Sequence, residues 1–133
     1  MTIEPLDTVE RVALRWDRVF EALAAEPRRQ LLVALDDASP DGCISLPEAA
    51  TSPGLSTDPA ELRVRLRHQH LPLLEDGGFV HWDDDPLRAR RGPNFDEVAV
   101  VFDSLYRTVE EIPEQLVVGC HRLESERTQR TNR

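Results

Sequence analysis

The sequence predicts a mainly helical fold with one small β-ribbon, an α+β chain, and three observations carry that prediction. Apolar residues recur at intervals of three and four near the N-terminus and again after residue 94, the spacing that lines one face of a helix. Between these segments, residues 79–91 change to short strand-like runs on either side of an Asp-Asp-Asp-Pro turn. The length of 133 residues suits one core with a short extension.

Val9, Val12, Trp16, Val19, Phe20 and Leu23 form the first stripe, and Asp7 with Glu10 has capping-box spacing, so a helix is expected over about residues 8–25. Glu26-Pro27 interrupts it, because proline disfavours helical geometry in the residue before it yet starts a new helix well. The second helix is expected from Pro27 or Arg28 to about Ala38, burying Leu31, Leu32 and Leu35. Ser39-Pro40-Asp41-Gly42 is a turn, Cys43-Ile44 a short strand, and Ser45 with Glu48 repeats the capping box ahead of a short helix over about 46–51. Ser52 to Thr57 cannot continue it. Asp58-Pro59 then offers an N-cap acceptor followed by proline at the first helical position, opening a long helix that ends near Gly77-Gly78. Pro72 lies inside that helix and is expected to kink it. Phe79 to Trp82 reads as a strand and Leu87 to Arg90 as its return, with Leu87 and Ala89 inward and Arg88 and Arg90 outward. Asn94 with Glu97 begins the last long helix, which runs to about Ile112 before Pro113 breaks it. Glu114 to Leu123 adds a turn or two, and Glu124 to Arg133 is polar enough to be disordered. The expected organisation is a domain over 8–92, a helical dimerisation segment over 93–123 and a tail over 124–133.

Acidic residues number 25 against 16 basic ones, and all 16 of the latter are arginine. Carboxylate excess combined with lysine avoidance resembles proteins of salt-loving archaea, which implies a high-salt cytoplasm. A GC-rich genome would account for the missing lysine but not for the net charge of −9. No apolar run approaches the ~20 residues that cross a bilayer, and the start of the chain lacks a basic-then-apolar export pattern, so a cytoplasmic location is expected. Cys43 and Cys120 are far apart and outside any ligand spacing, so idle thiols are expected rather than a site.

The long helix carries Arg63, Arg65 and Arg67, followed by His68, Gln69 and His70. On a helical wheel Leu62, Leu66 and Leu73 make one stripe with His70 beside it, while Arg65, His68 and Gln69 fall on the far side. Arg63 and Arg67 lie nearer Leu74, placed for phosphates or for pairing with Glu61 or Asp58. Arg88, Arg90 and Arg91 follow on the ribbon. Arginine's flat five-donor fork suits both phosphates and base edges, so these residues form the candidate duplex-DNA surface. Three arginines alone would be explained by a solvated helix face; those of the ribbon tip the balance. His70 is expected to be a packed core histidine. Enzymatic chemistry is not expected: there is no phosphate-cradling glycine loop, HExxH or GxSxG, and Ser45, Ser52 and Ser56 have cap or turn settings. No cofactor or metal site is expected either, since His68 and His70 stand about 200° apart around one helix.

The element order, together with Leu23-Ala24-Ala25-Glu26-Pro27-Arg28-Arg29-Gln30-Leu31-Leu32 and the run His68-Gln69-His70-Leu71 with Leu74, Gly78 and Val80, resembles the winged helix-turn-helix repressors of the arsenical-resistance (ArsR) type. The His-x-His-Leu-Pro-x-Leu form on an acidic chain is more similar still to a winged-helix domain family abundant in haloarchaea. The resemblance covers about residues 16–92. It implies a transcriptional regulator that reads duplex DNA with the 59–76 helix in the major groove and the 79–91 wing on the backbone. The cysteine-rich sensor of many such repressors is missing, so metal response is not implied, and the sequence leaves the small-molecule effector unknown. Phe95, Val98, Phe102, Leu105, Tyr106 and Val109 exceed what a core filled by the earlier leucines would need. With Trp16 they are the expected homodimer interface, although they could instead fold back on their own domain. A dimer would set two recognition helices roughly 34 Å apart. A winged-helix protein-interaction module that does not bind DNA is the alternative, since the net charge repels phosphate.

Overall fold

The computed structural model describes residues 5–118 and 120–131. Helix α1 (Pro5–Leu23) is followed by α2 (Glu26–Asp37), with Ala25 extended between them and Pro27 in the first turn of α2, where its missing N–H costs nothing. Strand β1 (Cys43–Ser45) precedes a 3-10 turn (Glu48–Ala50). A long helical stretch then comprises α3 (Pro59–Arg65), a π-helical turn (Leu66–His70) and α4 (Leu71–Asp76). Strands β2 (Val80–Asp84) and β3 (Leu87–Arg91) form a hairpin, and α5 (Phe95–Arg107), a 3-10 turn (Val109–Glu111), α6 (Glu114–Val117) and α7 (His121–Thr131) complete the described chain. The fold is thus mainly helical with one small antiparallel sheet, ordered β1-β3-β2. No described helix is long and apolar enough to cross a membrane.

One core collects Leu31, Leu32 and Leu35 of α2, Leu62, Leu66, Leu71 and Leu74 of the long helical stretch, and Phe79, Leu87 and Ala89 of the hairpin. The alternation read from the sequence holds in β3, where Leu87 and Ala89 are buried while Arg88 and Arg90 are exposed. Asp58 caps α3 as expected, its carboxylate accepting from the Ala60 N–H at 3.0 Å. Gly78 ends α4 with φ +79°, a left-handed conformation suited to glycine. Gly92 passes so close to this turn that a Cβ there would stand 2.5 Å from the Gly78 carbonyl oxygen. The hairpin is therefore anchored tightly against the end of α4.

Several expectations are corrected. The helix over 46–51 is only the 3-10 turn; Ser45 ends β1, and no side chain caps the turn. Asp7 lies within the first turn of α1. The Asn94 amide donates to the Gly77 carbonyl instead of capping α5, and Glu97 pairs with Arg15. Helix α5 stops at Arg107, short of Ile112. The segment from Glu124 is helical as far as Thr131, because α7 has tertiary anchors: Arg127 donates to the carbonyls of Val109 and Ile112, and Arg122 to the carboxylate of Asp37. Residues 132 and 133 of the expected tail lie outside the described residues.

The largest correction concerns α5. Phe95, Val98 and Phe102 are 2%, 0% and 5% exposed and belong to the chain's own core, and Val109 is buried in the turn against which α7 packs. The short 3-10 turn contributes little more than Ala50 and its neighbour Leu46, so the core has room for α5. Of the expected interface set, Trp16 and Leu105 stay exposed, and Tyr106 is half-buried, stacked on Phe102. Helix α1 instead leaves Val9, Val12, Trp16 and Phe20 in solvent, the last two stacked with ring centroids 5.8 Å apart.

Candidate nucleic-acid interface

Burial of Leu62, Leu66, Leu71 and Leu74 fixes the rotation of the long helical stretch and turns Arg63, Arg65, His68 and Gln69 outward. Pro72 is accommodated by the π turn that precedes it. The Leu71 N–H reaches back five residues to the Leu66 carbonyl, the wider spacing that lets a ring without a donor enter the helix. The same turn places His70 inside. Its Nδ1 lies 2.9 Å from a guanidinium nitrogen of Arg28, which is itself buried and also donates to the Ala22 and Glu21 carbonyls at 3.2 and 2.8 Å. Since arginine only donates, Nδ1 must accept, and the ring is neutral. Burial first, and then the charges of Arg28 and Arg65, pull the His70 pKa down to about 4.

The hairpin follows directly and lies beside the π turn, with Arg67 Nε 2.6 Å from Asp84 Oδ1 across the two elements. The oxygen is off the N–H direction, so the contact is an ion pair without a hydrogen bond, and Nε has no other acceptor among the described residues. Arg65 pairs with Glu61 one turn back at 2.7 Å, and Arg88 with its cross-strand neighbour Asp83 at 3.2 Å. Among the described residues, Arg63 and Arg90 are exposed with no ion pair, and His68 and Gln69 are exposed. The structure thus leaves six of the eight predicted residues exposed, Arg63, Arg65, His68 and Gln69 on the helical stretch and Arg88 and Arg90 on the outward face of the hairpin, with Arg67 half-buried against the hairpin.

Arg91 is the exception and corrects the expectation of a phosphate contact. Its guanidinium donates to the carbonyls of Leu35, Asp36 and Ala38, satisfying the end of α2, and stacks 4.8 Å over the Phe95 ring. Two features escaped the sequence reading. His81 is exposed and faces Arg90 across the hairpin, a pairing that the alternation of the two strands could have suggested. Asp83 and Asp84, read as part of a turn, instead end β2, where Asp83 pairs with Arg88 on one face of the hairpin and Asp84 with Arg67 on the other, and Asp85 is exposed in the turn. Arg65, Arg67 and Arg88 therefore meet Glu61, Asp84 and Asp83, and with Asp85 exposed in the turn four carboxylates stand against the five arginines of the two elements other than Arg91, so the charge nearly cancels.

Among the described residues no group of three or more His, Cys, Asp or Glu side chains converges on a metal-sized site. Comparison with protein-family models, curated proteins and solved structures finds no match to this chain.

Proposed function

We propose that the chain is a winged helix-turn-helix transcriptional regulator of the ArsR-like kind from a halophilic archaeon, binding duplex DNA as a homodimer. In this reading the α3–α4 stretch enters the major groove and the β2–β3 hairpin is the wing. The observation that carries it is the exposure of donor side chains on two successive elements, Arg63, Arg65 and His68 with Gln69 on the helical stretch and Arg88 and Arg90 on the hairpin, which touch where Arg67 meets Asp84. Donors of this kind suit base edges on the helix and phosphates on the hairpin.

The Arg88→Glu, Arg90→Glu double variant tests the reading. Each change reverses a charge at an exposed position, so duplex affinity in potassium chloride should fall by at least tenfold while the thermal melt is retained. An unchanged affinity in the folded variant rejects the wing assignment. The dimer is supported by the apolar stripe of α1, Val9, Val12, Trp16 and Phe20, and by exposed Val100 of α5 near Val12 and Trp16. Sedimentation of the intact chain should give a dimer, and Val12→Glu with Trp16→Glu a monomer; a monomeric intact chain rejects this part.

A second reading, a winged-helix module that binds a protein and not DNA, is favoured by the net charge of −9 and the near-cancelled charge of the arginine surface. It requires that no duplex is bound at any salt concentration.

A further inference from the structure

Of Arg63, Arg65, Arg67, Arg88 and Arg90, three are already held by carboxylates, and the geometry of those pairs bears on how a duplex would be bound. Asp84 is 61% exposed against 37% for Arg67, and Asp83 is 62% exposed against 49% for Arg88. In both hairpin pairs the carboxylate therefore keeps a larger share of its surface open to solvent than its arginine does. The Glu61–Arg65 and Asp83–Arg88 pairs are exposed and hence weak, and the Arg67 contact, made by a buried Nε, lacks hydrogen-bond geometry. Such pairs can be exchanged rather than permanently locked.

We propose that Glu61, Asp83 and Asp84 are built-in competitors for DNA phosphate, holding Arg65, Arg67 and Arg88 until a duplex displaces them and so flattening the salt dependence of binding. This rests on the duplex-binding reading and specifies how that surface is regulated by salt. The ion balance is the reason. An arginine that meets phosphate releases a condensed cation from the DNA, and that release makes binding weaken as salt rises. Where the arginine must first leave a carboxylate, breaking that pair becomes easier as salt screens it and the freed carboxylate regains its own cation atmosphere, so part of the salt dependence is offset. Only arginines without an internal acid, Arg63 and Arg90, then contribute their full share to the salt slope.

The experiment is fluorescence anisotropy with a labelled random-sequence duplex, titrated over a range of potassium chloride concentrations. It compares the intact chain, the Asp83→Asn, Asp84→Asn variant, and a Glu110→Gln, Glu111→Gln control with the same change in net charge outside the helix and hairpin. Two contacts freed of their internal acids should steepen the log–log salt slope of the hairpin variant, by at most about 1.8. Its affinity at the lowest salt should rise about tenfold, an advantage that shrinks as salt increases, while the control stays close to the intact chain. Equal slopes in all three proteins, or equal steepening in the control, overturn the inference while leaving duplex binding standing. Absence of saturable binding by all three removes the duplex reading and the inference with it. Glu61→Gln, on the helix, repeats the test without altering the hairpin and should steepen the slope by at most about 0.9.

Discussion

At the junctions between helices, guanidinium groups direct their donors to backbone carbonyls, with Arg28 buried and Arg15, Arg29 and Arg91 half-buried. Arg28 and Arg29 close the end of α1, Arg91 the end of α2, and Arg15 the Gly77 carbonyl after α4, at 2.9 Å. On the α3–α4 stretch and the hairpin, Arg63, Arg65, Arg88 and Arg90 stand in solvent, free or held by a carboxylate, and only Arg67 and Arg91 are half-buried. Helix ends carry unsatisfied carbonyls and a partial negative charge, which a planar multi-donor cation can satisfy several at a time. In a chain whose only strong cation is arginine, composition cannot distinguish a structural clamp from a ligand-facing group. Burial and the direction of the fork do.

Removing a clamp is the largest expected effect. Arg28→Met leaves the Ala22 and Glu21 carbonyls and His70 Nδ1 without their donor in a site where Arg28 is 5% exposed. Losing these bonds should destabilise the fold by about 3 kcal/mol in urea unfolding. A cost below ~1 kcal/mol would show that water replaces the clamp and would erase the contrast with the outer face.

The pH dependence sharpens the comparison with two opposed groups. His70 has its pKa depressed from 6.5 to about 4, so its share of stability is complete above pH 6.5 and is lost as pH falls towards 4. That share is as much as ~3 kcal/mol. Asp36 has its pKa raised from 3.8 to about 6 by burial, by its hydrogen bond to Asp103 and by the Asp103 charge, against the pull of Arg91. Its contribution is complete below pH 3.8 and is lost as pH rises through 6. Between pH 4 and 6 the two partly cancel, so Asp36→Asn should make the rise in melting temperature over that interval steeper than in the intact chain. A parallel profile for the variant would remove Asp36 from the account.

The smallest expected effect on stability belongs to the outer face. Arg88→Glu with Arg90→Glu should shift the unfolding free energy by no more than ~0.5 kcal/mol, because neither residue is buried and the pair with Asp83 is exposed. A loss near that of Arg28→Met would mean that these arginines also act as clamps.

The sequence by itself determined the first two helices, the helical stretch opened by Asp58-Pro59, the hairpin, the burial of Leu31, Leu32, Leu35, Leu87 and Ala89, the Asp58 cap and the core setting of His70. These follow from periodicity and cap chemistry, which act over a few residues. The paired arginines of the Glu26-Pro27-Arg28-Arg29 block were legible as a pattern, but their action on the end of α1 was not. Tertiary structure alone decided that α5 fills the core, that a π turn accommodates Pro72, and that Arg91 turns in to a carbonyl 56 residues away. It also decided that Asp84 meets Arg67 across two elements. The physical reason is range: a helical or strand pattern records which way a residue faces, whereas the acceptor that a guanidinium finds depends on which distant backbone or carboxylate the packed core brings within 3 Å or so.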